Sequence, residues 1–532
     1  MRRFLLTVVL ASAHFAQAAV AITALGADAP ASLDVQPLAN GAAARPDVLV
    51  ILTDQWNPRC LGFEGDEAAR TPNLDRLAAE GIIFESNYTP CPVCMPARCG
   101  ILSGLYPHNT NLWGNNSNYY LPPESAPMFR DIRAAGYTTA QIGKLHWTGG
   151  RAWQQRFQSL DEYYAALGLD FVDELPSPFS TPGATGPYVE HLRKIGRLDA
   201  YRRDMSQRVE QGQYLPRPSA VEPEDHNDSF VADRAIAFLE SLPRDKPYCL
   251  AVSFFGPHPP FDAPGRYATL IDAASIELPP NAPDDFKYHD TTYDRAAQQA
   301  FRANYYGKIA LIDDNIGRII DVLKQRGTWQ NTLVIFSSDH GEMLGAHGHL
   351  SKGRFYEESG RVPLVMRWPG RIPPARRTKA LSQLFDIYPT VVEAISGKLS
   401  PGHFAVSLLP VATGAKPAVR EVVFSEIGSK DSLRYMVRTP RYVWWVFDGR
   451  EALYDLEQDP YQQQNLIESP EHQRVLDEIA SRHLAYFRGT QVNLSAGTRP
   501  MLERLKERAG GKSKGLAERL YEQYKAADKE EN

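Results

Sequence analysis

The sequence predicts an α/β protein with a doubly wound sheet, followed by a smaller C-terminal subdomain in which an antiparallel sheet packs against a helix. Three runs, 47–53, 248–255 and 332–337, are almost continuously apolar, as expected for strands buried on both faces. The 300–326 segment instead carries isoleucines at helical spacing. Because strands that alternate with helices form parallel sheets, this order favours a doubly wound fold. After about residue 411, short runs separated by tight turns predict the antiparallel sheet.

Local patterns predict further elements of the main sheet and its helices. Thr71 and Pro72 suit the N-cap and the first turn of an amphipathic helix. The apolar face of that helix would consist of Leu74, Leu77 and Ala78. A further strand is predicted over 137–142, directly after Gly136.

The N-terminus has the composition of a secretory signal peptide. Arg2 and Arg3 precede an apolar stretch over 4–13, and residues 16–18 read Ala-Gln-Ala, a small-x-small cleavage pattern. The apolar stretch is too short to span a bilayer comfortably. We therefore expect residues 1–18 to be a signal peptide and the protein to be exported, periplasmic or secreted, without stable membrane insertion.

Changes in composition predict the domain boundaries. Residues 19–45 are rich in Ala, Pro and Gly and are expected to form a flexible lead-in. The main α/β domain is predicted over 46–411, the C-terminal α+β subdomain over 412–495, and a charged helical or disordered tail over 496–532. Within the subdomain, three strands and one helix are predicted over 432–439, 441–447, 452–456 and 470–486.

The overall charge argues against a nucleic-acid partner. The 532 residues include 58 Lys and Arg and 63 Asp and Glu, for a formal net charge of −5. Proteins that bind nucleic acids concentrate positive charge to neutralise phosphates. No such excess exists here, although basic residues can still cluster locally around an anionic substrate.

Five cysteines leave at least one thiol unpaired or modified in an exported protein. Cys91 and Cys94 form a CxxC pair, which is typical of redox motifs and of half-sites for zinc. No second CxxC and no thioredoxin-like context accompany it. A disulfide between Cys91 and Cys99 remains open at this point.

Polar residues follow two of the predicted central strands. Asp54 and Gln55 come after the first of these strands, and Asp339 and His340 after the last. Because ligands bind beyond the carboxyl ends of strands in open α/β sheets, we expect these four side chains to converge on one divalent cation. Oxygen ligands suit Ca²⁺, Mg²⁺ or Mn²⁺, and the imidazole keeps Mn²⁺ or Zn²⁺ open. The alternative for each aspartate is to cap the following helix.

The run Cys94-Met95-Pro96-Ala97-Arg98 resembles the signature of type I sulfatases, in which the cysteine is oxidised to formylglycine. Other segments resemble the same branch of the alkaline phosphatase superfamily, in the same order along 47–466. They are 52–55, 71–75, 143–146, 256–261, 338–342, Lys352, 386–390, 453–456, 459–460 and 465–466. The resemblance implies an alkaline phosphatase-like fold and a sulfuric ester hydrolase whose nucleophile is the formylglycine hydrate.

The resemblance also implies a metal site. Asp54, Gln55, Asp339 and His340 would hold the cation, with an oxygen of the modified Cys94 as a further ligand. Many sulfatases have a carboxylate in place of Gln55 and often an asparagine in place of His340. The residues found here resemble choline-sulfatase-like and glycan-sulfatase members and phosphonate monoester hydrolases. Ca²⁺ is the first expectation, with Mn²⁺ or Mg²⁺ as alternatives.

Five further side chains receive roles by the same resemblance. Arg98 would hold the formylglycine and its metal, and Lys144 and Lys352 would contact sulfate oxygens. His258 is the candidate general acid for the leaving oxygen, and His146 the candidate base for release of sulfate. A formylglycine-generating maturation enzyme is an implied partner. His347 and His349 are interpreted as structural or as supporting residues.

The substrate is less specified by the sequence. The leading hypothesis is a sulfated glycan or its oligosaccharides, with a phosphonate monoester or phosphodiester as the alternative and an inactive glycan-binding homologue as a third hypothesis. Residues that follow the motifs are candidates for the mouth of the site: Trp113, Asn115, Asn116, Trp147 and Arg151. The 151–225 insertion is expected to form a lid or a pocket wall. The sequence does not specify the oligomeric state.

Overall fold

The computed structural model describes residues 45–429 and 432–490. Strands of the large sheet and of a small hairpin lie before residue 400: β1 Asp47–Asp54, β2 Ile82–Tyr88, β3 Thr138–Gly143, β4 Phe171–Glu174, β5 Tyr248–Pro257, β6 Asp285–Tyr288, β7 Thr291–Asp294, β8 Thr332–Ser338, β9 Leu364–Arg367 and β10 Arg376–Gln383. The strands of the C-terminal sheet are β11 Val423–Ser429, β12 Ser432–Arg438, β13 Tyr442–Phe447 and β14 Arg450–Asp455.

The helices of the described ranges vary from single turns to one long helix. They are α1 Pro72–Ala79, α2 Cys94–Ser103, α3 Pro107–Thr110, α4 Met128–Ala134, α5 Leu160–Ala166, α6 Pro187–Lys194, α7 Leu198–Gln211, α8 Asn227–Ser241, α9 Arg295–Gln325, α10 Glu357–Gly360, α11 Ile387–Ala394, α12 Leu409–Ala412 and α13 Gln473–Gly489.

The large sheet has the strand order β10-β2-β9-β8-β1-β5-β3-β4. The four central strands, β8, β1, β5 and β3, are parallel, so their carboxyl ends meet at one edge of the sheet. Only β9 runs antiparallel to its neighbours within the described part of this sheet. The predicted α/β fold class is confirmed, and the predicted strands match β1, β3, β5 and β8 to within a few residues.

Both faces of the large sheet are covered by apolar cores. On β1, Leu49 and Ile51 belong to one core, and Val48, Val50 and Leu52 belong to the other. Since side chains alternate between the faces of a strand, this division requires the continuous apolar run seen in the sequence. The long helix α9 covers the first of these faces with buried isoleucines: Ile309, Ile312, Ile316, Ile319 and Ile320.

The C-terminal sheet is antiparallel, with the order β11-β12-β13-β14. Leu476 and Ile479 of α13 pack with Val437, Trp444 and Leu453 of the sheet in one apolar cluster. The predicted sheet-plus-helix arrangement is therefore confirmed. The sheet contains one strand more than predicted, because β11 precedes the first predicted strand.

The capping prediction for α1 is wrong. Thr71 occupies the N-cap position, but its side chain makes no capping hydrogen bond. Its hydroxyl instead accepts from Gly62 N and donates to Asp75. The carboxylate of Asp313, from α9, accepts from the backbone N–H groups of the first turn at 2.8–3.0 Å. A distant residue thus replaces the local cap, and it ties α1 to α9.

Several predictions lie outside the described residues. They are the signal peptide 1–18, the lead-in up to residue 44, and the tail 496–532. The predicted boundaries of the two domains also remain predictions. Among the residues that are described, no helix combines the length and the apolar character needed to cross a bilayer.

Candidate active site

Cys94 is the first residue of α2. The preceding Val93 has an extended backbone (φ −147°), and the helix ends at Gly104, which has a left-handed backbone (φ 66°). Asn115 Oδ1 accepts a hydrogen bond from Met95 N at 3.1 Å and satisfies one amide of the first turn. All ten residues of α2 are buried. The Cys94 thiol therefore stands at the positive end of a buried helix, where negative charge is stabilised.

Four ligand-type side chains meet at this thiol. Suitable atoms of Asp54, Cys94, Asp339 and His340 all lie within 4.8 Å of one another, and all four residues are buried. Asp54 ends β1, whereas Asp339 and His340 follow β8, so the parallel pairing of these two strands brings the three residues together. The structure thus brings together four of the five predicted metal-ligating residues in one cluster.

The fifth, Gln55, lies at the same place. Gln55 is the first residue after β1, and its backbone is left-handed (φ 67°). Its amide nitrogen Nε2 donates to Glu342, so its Oε1 points the opposite way and accepts from Lys352 Nζ at 2.6 Å. Burial raises the pKa of Glu342, although Leu344 N, Gln55 and Ser351 N donate to it. Glu342 therefore determines which atom of the Gln55 amide faces the cluster.

A backbone carbonyl fixes the tautomer of His340. Nδ1 lies 3.0 Å from the carbonyl oxygen of Gly341, which can only accept, so Nδ1 carries a proton. Nε2 consequently faces the cluster, 3.1 Å from Cys94 Sγ and 3.5 Å from both Asp54 Oδ1 and Asp339 Oδ1. An imidazole held in this way is oriented as a metal ligand.

Three cations surround the cluster. Lys144 Nζ pairs with Asp54, Lys352 Nζ lies 3.2 Å from Cys94 Sγ, and Arg98 Nε donates to Asp339 Oδ2 at 2.7 Å. Arg98 Nη1 donates to Ser253 Oγ and to the carbonyl of Lys144, whereas its buried Nη2 has no hydrogen-bond partner in the described structure. This guanidinium N–H, on a residue one helical turn after Cys94, is therefore available to a further acceptor.

These charges shift the ionisation of the acidic groups. Burial opposes ionisation of Asp54, but Lys144 and other nearby cations hold the pKa of its carboxyl well below the usual range. Burial and Asp54 likewise oppose ionisation of Cys94, yet Lys144, Lys352 and His340 hold the pKa of this thiol well below its usual value. Fixed positive charge therefore exceeds what the two carboxylates neutralise, as an anionic substrate requires.

His258 lies at the carboxyl end of β5, and its backbone N–H donates to the carbonyl of Asp54 at 3.0 Å. Its Nδ1 is 2.6 Å from the carbonyl oxygen of Pro259, so the neutral ring carries its proton on Nδ1. Burial, Lys352 and Lys144 lower the pKa of His258 to about 3, although Asp54 opposes this shift. Without a bound anion, this imidazole is neutral.

His146 is the least connected of the predicted residues. It follows Lys144 by two residues and has a left-handed backbone (φ 57°). Its Nδ1 is buried without a hydrogen-bond partner among the described residues. No hydrogen bond or ion pair within the described ranges joins its side chain to the cluster around Cys94.

The residues predicted at the mouth of the site differ in their surroundings. Trp147 is buried and packs in the core against Phe129 and Tyr164, so it is part of the scaffold. Asn115 instead accepts a hydrogen bond from Met95 N in the first turn of α2. The backbone carbonyl of Trp113 accepts a hydrogen bond from Gly428 N. Asn115, Asn116 and Arg151 are exposed.

His347 and His349 do not contact the cluster in the described structure. His347 stacks on Tyr356 at 3.8 Å between ring centroids and hydrogen-bonds with Asn281. Both interactions suit the supporting role that the sequence predicts. Burial and Arg354 lower the pKa of His349 to about 4.

Sequence reasoning missed three residues that support the site. Glu342 orients Gln55, Ser253 accepts from Arg98, and Lys308 holds the loop that carries His258. Glu342 could have been found from the sequence, because it is the last residue of the 338–342 motif. Lys308 has a weaker signal, a lysine directly before an isoleucine on the apolar face of α9.

The donor set fits a hard divalent cation. Oxygens of Asp54, Asp339 and Gln55 accept hydrogen bonds from Lys144, Arg98 and Lys352, whereas the His340 Nε2 lies beside the Cys94 thiol. Carboxylate and amide oxygens are ligands of Ca²⁺, Mg²⁺ and Mn²⁺. The described residues contain no other such group of His, Cys, Asp and Glu.

A cation-binding cluster enclosed by fixed positive charge suits an ester of a strong oxyacid, because the charge of such an ester lies on its peripheral oxygens. Fold and site together define the class of metal-dependent hydrolases that act on anionic esters. The chain belongs to the sulfatase family, whose profile matches residues 46–397. A second profile, N-sulphoglucosamine sulphohydrolase, C-terminal, matches residues 345–488. Membership implies in general a metal ion and a formylglycine.

Characterised proteins similar to this chain include sulfatases and a phosphonate hydrolase. Choline-sulfatase of Rhizobium meliloti is 30% identical over 457 residues, 80% of this chain and 83% of that protein. An ulvan-active sulfatase of Formosa agariphila is 29% identical over 454 residues, 82% of this chain and 80% of that protein. The structure of a phosphonate monoester hydrolase of Agrobacterium radiobacter matches with a TM-score of 0.71 at 26% identity, over 84% of this chain and 97% of that one.

Proposed function

We propose that the protein hydrolyses sulfate monoesters of a glycan or its oligosaccharides, with Cys94 converted to formylglycine by a maturation enzyme. The observation that carries this proposal is the position of Cys94, buried at a helix start between the cation-ligand cluster and three fixed cations. A thiol in a purely structural role would not need Lys352 at 3.2 Å. Formylglycine at residue 94 supplies the nucleophile of the reaction.

The proposed metal ligands are Asp54, Gln55, Asp339, His340 and the modified residue 94. Ca²⁺ is the first choice because oxygen donors predominate, and Mn²⁺ or Mg²⁺ are alternatives. When bound, the cation supplies Lewis-acid polarisation of the ester and of the nucleophile. The chain's own contribution is to hold the ligands: Gly341 orients His340 and Glu342 orients Gln55.

The remaining residues bind the ester and move protons. Lys144 and Lys352 bind sulfate oxygens, and Arg98 Nη2 donates to an oxygen on residue 94. His258 gives a proton to the leaving oxygen through Nε2, since Nδ1 already donates to the Pro259 carbonyl. This role requires the imidazole to be protonated, which the negative charge of a bound ester favours. His146 is the proposed base that removes the proton from the second hydroxyl of the formylglycine hydrate, so that sulfate leaves as the aldehyde re-forms.

Export is part of the proposal. Residues 1–18 have signal-peptide composition, and a periplasmic or secreted enzyme meets large environmental esters rather than intracellular metabolites. The sulfated-glycan assignment also draws on the ulvan-active sulfatase among the relatives. Helices α5, α6 and α7 and strand β4 form much of the 151–225 insertion, which we assign to the wall of the substrate pocket.

The similarity to a phosphonate monoester hydrolase supports a second candidate function, the hydrolysis of phosphonate monoesters or phosphodiesters. The test compares kcat/KM for 4-nitrophenyl sulfate, a panel of sulfated oligosaccharides and phenyl phosphonate monoester, using one metal-loaded preparation. We expect sulfate esters to be hydrolysed with the higher kcat/KM. Much faster hydrolysis of the phosphonate would overturn the sulfatase assignment in favour of the second candidate.

Lys308 provides a test of the proton donor, because it anchors the loop that carries His258. Its Nζ donates to the carbonyls of His258 and Pro260 at 2.9 Å and to Asp262 at 3.0 Å, and its side chain is 1% exposed. In Lys308→Met the loop loses this anchor, so protonation of the leaving oxygen is expected to slow. We expect kcat to fall about tenfold or more for alkyl sulfates and much less for 4-nitrophenyl sulfate, whose leaving group needs no proton.

A stability effect must be separated from this result. Removing Lys308 takes the nearest cation from the buried Asp262, which keeps only His226 at 3.7 Å, and breaking a buried pair costs up to about 3–5 kcal/mol. The double variant Lys308→Met/Asp262→Asn also removes the carboxylate charge and serves as the matched control. If it recovers the thermal stability and also the alkyl-sulfate rate, Lys308 acts through stability alone. Equal losses for both kinds of ester would likewise contradict a link to His258.

A further inference from the structure

Arg354 is a half-buried cation in the loop that carries Lys352, and it has no carboxylate partner among the described residues. It lies in the loop between β8 and α10, two residues after Lys352. Its guanidinium carbon lies 4.7 Å from the centroid of the Phe447 ring. Within the described ranges, no ion pair and no side-chain hydrogen bond involves this guanidinium. All five of its N–H donors are therefore without a partner in the described part of the chain.

Neighbouring arginines in comparable surroundings are paired. Arg434 lies over the same Phe447 ring at 4.6 Å and pairs with Asp448. Arg59 lies over the Tyr461 ring at 4.3 Å and pairs with Glu358. The stacking on Phe447 holds the Arg354 side chain in one place, so little further ordering is needed when it binds an anion.

Arg354 is linked to the reaction site through its own loop. Lys352, two residues earlier, reaches Cys94, and Gly353 N donates to the Pro92 carbonyl at 3.0 Å. Tyr288 is affected by the charges of both Lys352 and Arg354. Burial and Glu342 raise its pKa, while Lys352 and Arg354 both act to lower it. Its ring is half-buried and lies 5.6 Å from that of Tyr214, which comes from the insertion.

We propose that Arg354 forms a subsite for a second anionic group of the substrate, such as a uronate carboxylate or another sulfate near the ester that is cleaved. The inference rests on the proposed function and narrows its substrate class to sulfated saccharides with a further negative charge. A fork of N–H donors matches the paired oxygens of carboxylate and sulfate groups.

The test uses pairs of aryl sulfates that differ in one charge. Phenyl sulfates with a carboxylate at the ortho, meta or para position are compared with the corresponding neutral carboxamides, so that three distances from the ester are sampled. The quantity measured is the ratio of kcat/KM for the carboxylate to that for the carboxamide. It is determined for the wild-type protein, for Arg354→Gln and for Arg371→Gln.

Arg371 is a matched control. It is also half-buried and stacked on an aromatic ring, that of Trp368 at 5.9 Å, and it has no ion pair within the described ranges. Arg371 follows β9, which runs antiparallel to β8. The last residue of β9, Arg367, pairs with Val334 near the amino end of β8, so Arg371 lies at the edge of the sheet opposite to the proposed site. Changes that reflect net charge alone should therefore appear in both variants.

We expect Arg354→Gln to lower the ratio about tenfold for at least one isomer, which is the loss of one charge-assisted contact. Arg371→Gln should keep the wild-type ratio within about twofold. An unchanged ratio for all isomers in Arg354→Gln overturns the subsite, and so does an equal fall in both variants. Failure of the wild-type protein to release sulfate from any of these esters or from the oligosaccharide panel overturns the proposed function itself.

Discussion

Replacing Cys94 by alanine is expected to lower the rate of sulfate release by at least about 1,000-fold while the fold is retained. The substitution removes the atom from which the proposed nucleophile is made. Its structural cost should be small, because Sγ contacts His340 and Lys352 rather than the apolar cores, and alanine suits the first turn of a helix. The rate is measured with the best ester of the panel, and the fold by thermal denaturation and circular dichroism.

Cys91→Ala is the matched control for this experiment. Cys91 is also buried and free, but it packs in an apolar cluster with Tyr88 and Phe355. Its loss should lower stability and leave the rate within about threefold. Mass spectrometry of the peptide that contains residue 94 completes the test. An active, natively produced protein in which residue 94 is still a thiol would contradict the mechanism, as would a loss below about tenfold in Cys94→Ala.

The second large effect is expected for Asp54→Asn. Asp54 is 1% exposed, pairs with Lys144, and faces Cys94 Sγ at 3.8 Å. Asparagine keeps the volume but removes the charge that attracts a divalent cation and that offsets the surrounding cations. We expect kcat/KM to fall at least about 100-fold and the affinity for the cation to fall with it.

The affinity for the cation is measured without an activity assay, from the rise in Tm when Ca²⁺, Mn²⁺ or Mg²⁺ is added to chelator-treated protein. A ligand that binds only the folded state raises Tm in a concentration-dependent way. The matched control is Asp386→Asn, which also removes a buried charge paired with an arginine, Arg420, at the start of α11. It should lower Tm yet keep the cation-dependent rise. An unchanged rise in Asp54→Asn would show that Asp54 is not a ligand.

The parts of the site that the sequence revealed are those carried by short contiguous motifs. Asp54, Asp339 and His340 follow strands whose apolar runs are unmistakable, and parallel pairing of β1 with β8 necessarily brings such residues to one edge. Cys94 and Arg98 lie one helical turn apart, so a single motif contains both. Apolar runs of this length reveal a strand, but short or partly polar strands such as β4 and β9 leave no comparable signal.

The supporting contacts could not be read from the sequence, because each joins residues far apart in the chain. Lys308 reads as an ordinary helical lysine, yet it is buried and holds the His258 loop. The sequence suggests that the Thr71 side chain caps α1, but the carboxylate of Asp313 accepts the hydrogen bonds of the first turn instead. Trp147 reads equally well as a substrate contact or as scaffold, and only its packing against Phe129 and Tyr164 decides for the scaffold.

By itself, the sequence determined the α/β class and the family resemblance, and it predicted Cys94 as the source of the nucleophile and the ligand types around it. These properties depend on periodic burial and on short motifs, which are local along the chain. Only the tertiary structure decided the orientation of the Gln55 amide, the tautomers of His258 and His340, and the absence of a carboxylate beside Arg354 among the described residues. Such features depend on the hydrogen-bond donors and charges that other elements place beside a residue. The packing of the whole domain determines which elements are neighbours.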